Sequence, residues 1–116
     1  MRRRARVGLL LARAPATAAL AVLGAGAGCV GHAPQVHVVN IRNFVFEPAT
    51  VAAAVGDTVV WKNTDIVPHS AKARDSLWDS RAIGTDSSWR FVAQGPGRHT
   101  YYCEFHPNMQ GTVEVR

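Results

Sequence analysis

A chain of 116 residues has room for one domain, and the Ala/Gly-rich composition of its N-terminus places that segment outside it. The formal charge of +5 invites a nucleic-acid reading, yet Arg2, Arg3, Arg4, Arg6 and Arg13 supply five of the 13 basic residues and all precede residue 30. Eight basic residues then face all 8 acidic ones in the remainder, which is close to neutral and carries no nucleic-acid signature.

Residues 1–28 have the three parts of an export signal: a basic start to Arg6, an apolar stretch to about Gly24, and the small residues Ala25-Gly26-Ala27-Gly28 before Cys29. Ala25-x-Ala27 suits a general signal peptidase. Gly26-Ala27-Gly28-Cys29 also resembles the lipobox of bacterial lipoproteins, with Gly26 where that motif usually has Leu, so lipidation of Cys29 as the first mature residue stays open. Arg13 and Pro15 interrupt the apolar run below the ~20 residues of a membrane span. The expected location is outside the cytoplasm, in the periplasm or attached through a lipidated Cys29 to the outer face of a bacterial membrane.

After a connector at 29–35, the pattern changes to short β-branched and aromatic runs separated by Gly, Pro, Asn and Asp. Strands are predicted over Val36 to Arg42, Thr50 to Val55, Thr58 to Lys62, Ser88 to Ala93, Arg98 to Cys103 and Thr112 to Val115, with an extra extended piece at Phe44-Val45-Phe46. Gly56-Asp57, Asn63-Thr64-Asp65 and Gly95-Pro96-Gly97 supply the turns. No helix of ten residues is convincing, so 36–116 is predicted to be an all-β, antiparallel Greek-key sandwich. Alternation assigns Val59 with Trp61, and Trp89 with Phe91, to the core. His37 is expected to point outward from Val36 and Val38. Lys72 to Asp86 fits either a long loop with a helical turn or an edge strand, and its charges, with Arg90, read as a solvated face.

With Cys29 at the processing point, Cys103 is left without an intramolecular partner. A lone thiol is often an inert core residue, but this one opens Cys103-Glu104-Phe105-His106-Pro107-Asn108-Met109, a C-x2-H-x2-M segment between two strands. Spacings of three let one tight loop turn all three side chains to a point, whereas a continuing strand would spread them over ~20 Å. Met109 is the only methionine besides Met1. A fourth donor from a neighbouring loop is available in His69, after Pro68 and before Ser70. Two imidazoles, a thiolate and a weak thioether form the donor set of blue-copper electron transfer. Structural zinc recruits more cysteines and has little use for methionine. A Cys-His nucleophile would need an orienting third group.

On Pro68-His69, Gly95-Pro96-Gly97, Tyr101-Tyr102-Cys103, the ligand loop and Gly111-Thr112-Val113, residues 36–116 resemble the cupredoxins, in particular their amicyanin and plastocyanin branch. The resemblance implies one copper ion, cycling between Cu(I) and Cu(II), with His69, Cys103 and His106 equatorial and Met109 axial. It implies an electron-transfer patch around His106, for which Pro68, Phe105 and Pro107 are the candidates. Ser70 stands where the best-known members have an asparagine tying the ligand loops together, and Glu104 where Ser or Thr is common. Both substitutions leave the tether and the potential open.

The implied function is a one-electron carrier without catalytic residues, a monomer meeting protein redox donors and acceptors transiently. Copper storage or delivery on the same ligands is the alternative. A copper oxidase or nitrite reductase would need further histidine clusters, a binuclear centre a second loop cysteine, and a metal-free adhesive sandwich would leave the donor spacing to chance.

Overall fold

The computed structural model describes residues 8, 11–12, 14–19 and 31–116. The basic start, the signal-processing point and Cys29 lie outside the described residues. Among the described residues, eight strands, β1 (Val36–Arg42), β2 (Val45–Glu47), β3 (Thr50–Ala53), β4 (Thr58–Asn63), β5 (Lys72–Ala73), β6 (Ser88–Val92), β7 (Gly97–Tyr102) and β8 (Gln110–Val115), form two four-stranded sheets ordered β2-β1-β4-β6 and β3-β8-β7-β5. The expected sandwich is present with a refinement of strand direction: β1 pairs with β4, and β3 with β8, in parallel, while the other pairings are antiparallel. Hydrophobic alternation reports which face is buried and carries no information on direction.

The inner faces follow from period-two alternation. Val39 and Ile41 of β1, Val59 and Trp61 of β4, Tyr101 of β7, and Val113 and Val115 of β8 are buried in one core. Trp89 and Phe91 are half-buried and pack against it. Trp61 lies between Trp78, Trp89 and Tyr101, with ring centroids 5.4 to 5.7 Å away. His37 reverses its expected direction: it shares the inner side of β1 with Val39, is half-buried, and its Nε2 meets Asp57 Oδ2 at 2.8 Å, while Val36 and Val38 are exposed. Val39 and Ile41 set the register of that strand, and the Asp57 carboxylate gives the displaced polar ring a partner.

Asp57 closes the sandwich at the start of β1. Its carboxylate accepts the amides of Gln35 and Ala54, each at 2.9 Å, and faces His37 and His32. Four donors hold its carboxyl far below the ordinary range, the Gln35 amide contributing most. The connector is thereby fastened to the pole where β1 begins. β1 then runs to the opposite pole, where the loop after β4 and the loop after β7 meet.

The ambiguous stretch 72–86 resolves into the two-residue edge strand β5, followed by irregular chain that is pinned by isolated bridges His69↔Ile83 and Lys72↔Asp79. It contributes Trp78 and Ile83 to the core. Its charges are engaged more than a simple solvated face would be. Asp75 holds His99 Nδ1, whose other nitrogen meets Gly95 O at 2.7 Å.

Two outcomes follow. At Gly111 a Cβ would lie 2.2 Å from Tyr101 Cζ and 2.3 Å from its Oη, so Gly111→Ala forces a buried ring from its place and is expected to cost about 1–3 kcal/mol in denaturant unfolding. For the clamp on β7, Asp75 raises the His99 pKa above 6.5 while His99 lowers that of Asp75 below 3.8. The His99 contribution is complete below about pH 6.5 and fades as pH rises through the raised value; that of Asp75 is present above about pH 4 and fades through the lowered one. Stability measured at pH 5.5 and 8.5 should therefore fall toward the alkaline value, and His99→Gln should flatten that difference.

Candidate metal centre

β4 ends at Asn63, which is fully buried and shapes the following turn with its amide side chain. Nδ2 donates to Val67 O and Ile83 O, both at 2.9 Å, and Oδ1 accepts the Asp65 amide at 2.9 Å. The chain then reaches His69, whose N–H and C=O bond to Ile83 at 3.1 and 2.7 Å. His69 is thus held on both sides by backbone and is completely buried.

β7 ends at Tyr102, one residue short of its predicted end, and the second loop opens at Cys103. Met109 N donates to His106 O at 2.9 Å, and Cys103 N to Met109 O at 3.1 Å, closing 103–109 into a compact turn. Cys103 and Met109 are buried, and His106 is half-buried. The sulfur is a free thiol in the core.

His69 Nδ1 lies 3.9 Å and His106 Nδ1 3.8 Å from Cys103 Sγ, and among the described residues these three make the one cluster able to hold a metal, with donor atoms within 4.8 Å of one another. Bonds of about 2.0 Å to nitrogen and about 2.3 Å to sulfur, spread at about 120°, put nitrogen and sulfur about 3.7 Å apart; a tetrahedral angle gives about 3.5 Å. The two observed separations between nitrogen and sulfur are close to these values, so both imidazoles can share one ion with the sulfur. Met109 is buried in the same loop and supplies the thioether such a site uses as a weak axial donor. Two imidazoles, a single thiolate and a thioether are a donor set that fits a copper ion better than structural zinc, which recruits more cysteines.

Around the sulfur, Ser70 does what its small size left open. Its N–H donates to Cys103 Sγ at 3.3 Å, a bond that favours thiolate, and its Oγ accepts the Glu104 amide at 2.8 Å. The hydroxyl is short, but the two loops approach closely enough for it to reach. Glu104 in turn meets Lys72 Nζ at 2.8 Å, so its charge is balanced on the surface. Pro68, Phe105 and Pro107 are exposed on the loops flanking His106, with Phe105 half in solvent.

Two residues escaped sequence reading. Asp65 Oδ2 meets His69 Nε2 at 2.8 Å, and its carboxylate also accepts the amides of Asn43 at 2.7 Å and Phe44 at 3.0 Å. Burial pushes this carboxyl up, but the Phe44 and Asn43 amides and His69 outweigh burial and hold it below the ordinary range. Asn43 and Phe44 have φ of 54° and 60°, the left-handed region, so the β1–β2 turn aims its amides at Asp65 and its phenyl ring at the site. Phe44 lies edge-on to His69 and His106, with centroids 5.2 and 4.8 Å away. The one available signal was Asp65 four residues before His69, and nothing local linked either residue to position 44.

A family model described as a cupredoxin-like domain matches residues 13–115. Amicyanin-alpha of Methylorubrum extorquens is 31% identical over 107 residues, covering 86% of this chain and 90% of its own. Plastocyanin of Nostoc punctiforme is 30% identical over 89 residues, covering 61% and 64% respectively. The solved purple cupredoxin of Nitrosopumilus maritimus is similar with a TM-score of 0.63 at 29% identity, over 72% of this chain and 100% of that one.

Ser70→Ala strips the Glu104 amide of its acceptor and leaves the Ser70 N–H to sulfur intact. Unfolding of the metal-free protein should show a loss of about 1 kcal/mol, the worth of one partly buried hydrogen bond.

Proposed function

The chain belongs to the cupredoxin-like family, and on that premise we propose that it holds one copper ion between His69, Cys103, His106 and Met109 and carries single electrons between protein partners outside the cytoplasm. The observation that carries this reading is the pair of 3.8 and 3.9 Å separations between one buried sulfur and two imidazole nitrogens, drawn from two loops.

Bound copper supplies the Cu(I)/Cu(II) couple. The chain supplies donors whose places are set by protein hydrogen bonds. His69 is gripped by Ile83 and Asp65, Cys103 by Ser70 and Met109. Donors fixed in this way move little when the charge changes, and small movement keeps the barrier to electron exchange low. Electrons enter and leave through His106, the imidazole that is not fully buried, beside the exposed Phe44 and Phe105. An apolar rim releases water easily and suits short-lived docking by a protein donor or acceptor.

The leader supports export, with attachment through Cys29 one outcome of its processing and a monomer the expected state. No turnover is assigned to the protein. Storage or delivery of copper on the same ligands is separated from electron carriage by retention. A carrier keeps its ion through repeated oxidation and reduction, and complete transfer of Cu(I) to an apo acceptor would reverse the ranking.

Addition of Cu(II) to the purified protein should give an intense visible thiolate-to-copper band, absent in Cys103→Ser. A colourless parent protein would remove the copper assignment and leave a β-sandwich of unassigned function.

A further inference from the structure

Asp65 has more to do than shape a turn. Of its two oxygens, Oδ1 takes the Asn43 amide, while Oδ2 takes both the Phe44 amide and His69 Nε2. The carboxylate side chain is 10% exposed and the imidazole not at all, so the contact is screened little by water. An ionised carboxylate has no proton to give, so Nε2 carries the ring proton and Nδ1 presents a lone pair. That lone pair belongs to the atom 3.9 Å from Cys103 Sγ.

We infer that Asp65 is a positioning residue of the metal centre, which fixes the ring plane and tautomer of His69 and, by drawing on the Nε2 proton, makes Nδ1 a stronger donor to the oxidised ion and so lowers the reduction potential. This rests on the copper reading above. The physical reason is charge: a partial negative charge passed through the imidazole stabilises Cu(II) more than Cu(I), because the more highly charged ion gains more from it. The same carboxylate anchors the turn bearing Phe44, whose edge packs against both imidazoles. One acidic side chain thus ties the tuning of the buried ligand to the placement of the aromatic group beside the half-exposed one.

Asp65→Asn tests the inference, since the amide keeps the shape and can still accept from Nε2 but carries no charge. The full mature protein loaded with copper should keep its visible band, lose about 10- to 100-fold in Cu(II) affinity, and shift its Cu(I):Cu(II) equilibrium toward Cu(I) by about tenfold, which is a rise of about 59 mV in midpoint potential. An Asp65→Asn protein that remains coloured with the parent's potential would overturn the inference and reduce Asp65 to a staple for the turn. A second measurement needs neither the variant nor the metal. Long-range nitrogen–proton NMR of the metal-free parent should show the His69 proton on Nε2, and a proton on Nδ1 would overturn the assignment. Failure of the copper reading is distinct, since it would appear as a colourless parent.

Discussion

Two hydrogen bonds at Ser70 hold the site together. The loop bearing His69 grows from β4 in one sheet, and the loop bearing Cys103 grows from β7 in the other. Ser70 spans them, its N–H on the sulfur at 3.3 Å and its Oγ on the Glu104 amide at 2.8 Å. The bonds between His69 and Ile83 and between Cys103 and Met109 then fix each loop internally. Donor geometry is consequently a property of the backbone, and the side chains need only the right length to reach one point.

Physical range separates what could be read beforehand from what could not. Strand positions were legible because alternation is local: Val59, Trp61, Val39 and Ile41 are inside, and every predicted run is a strand within a residue or two. The C-x2-H-x2-M spacing was legible for the same reason, since a loop of seven residues closes on itself. Phe44 was not, and neither was the part of Asp65 that holds it, because the bonds from the Asn43 and Phe44 amides to Asp65 join positions 21 or more apart and depend on a parallel neighbour relation between β1 and β4 that alternation does not encode. His37 shows the limit of alternation itself. The pattern Val36-His37-Val38-Val39 has apolar residues on both faces, and only the depth of Val39 and Ile41, with Asp57 ready to receive the ring, decides which face turns inward.

The two poles of the sandwich divide the work. At one, Asp57 fastens the connector, His37 and the β3–β4 turn through four contacts. At the other, Asp65 plays a similar part with three, two of them backbone amides. Each is a nearly buried carboxylate supplied with enough donors to stay ionised, and each joins the strand β1 or its flanking residues to the rest of the sandwich. The connector is thus held at the Asp57 pole, opposite the two loops that bring His69 and Cys103 together.

The division between the two histidines follows from what surrounds them. His69 is enclosed, committed at Nε2 to Asp65 and flanked on the backbone by Ile83, so its ring can neither reorient nor touch another protein. His106 has no such clamp among its described hydrogen bonds, stands half-exposed, and is bordered by Phe44 at 4.8 Å. A ligand that tunes the ion gains from burial, since a charge effect transmitted through imidazole is strongest where water cannot screen it. A ligand that passes electrons to a partner gains from exposure and from apolar neighbours that part from water at low cost. On the proposed copper function, the fold meets both demands by drawing one imidazole from each loop, and the asymmetry between those loops sets a buried donor apart from a half-exposed one.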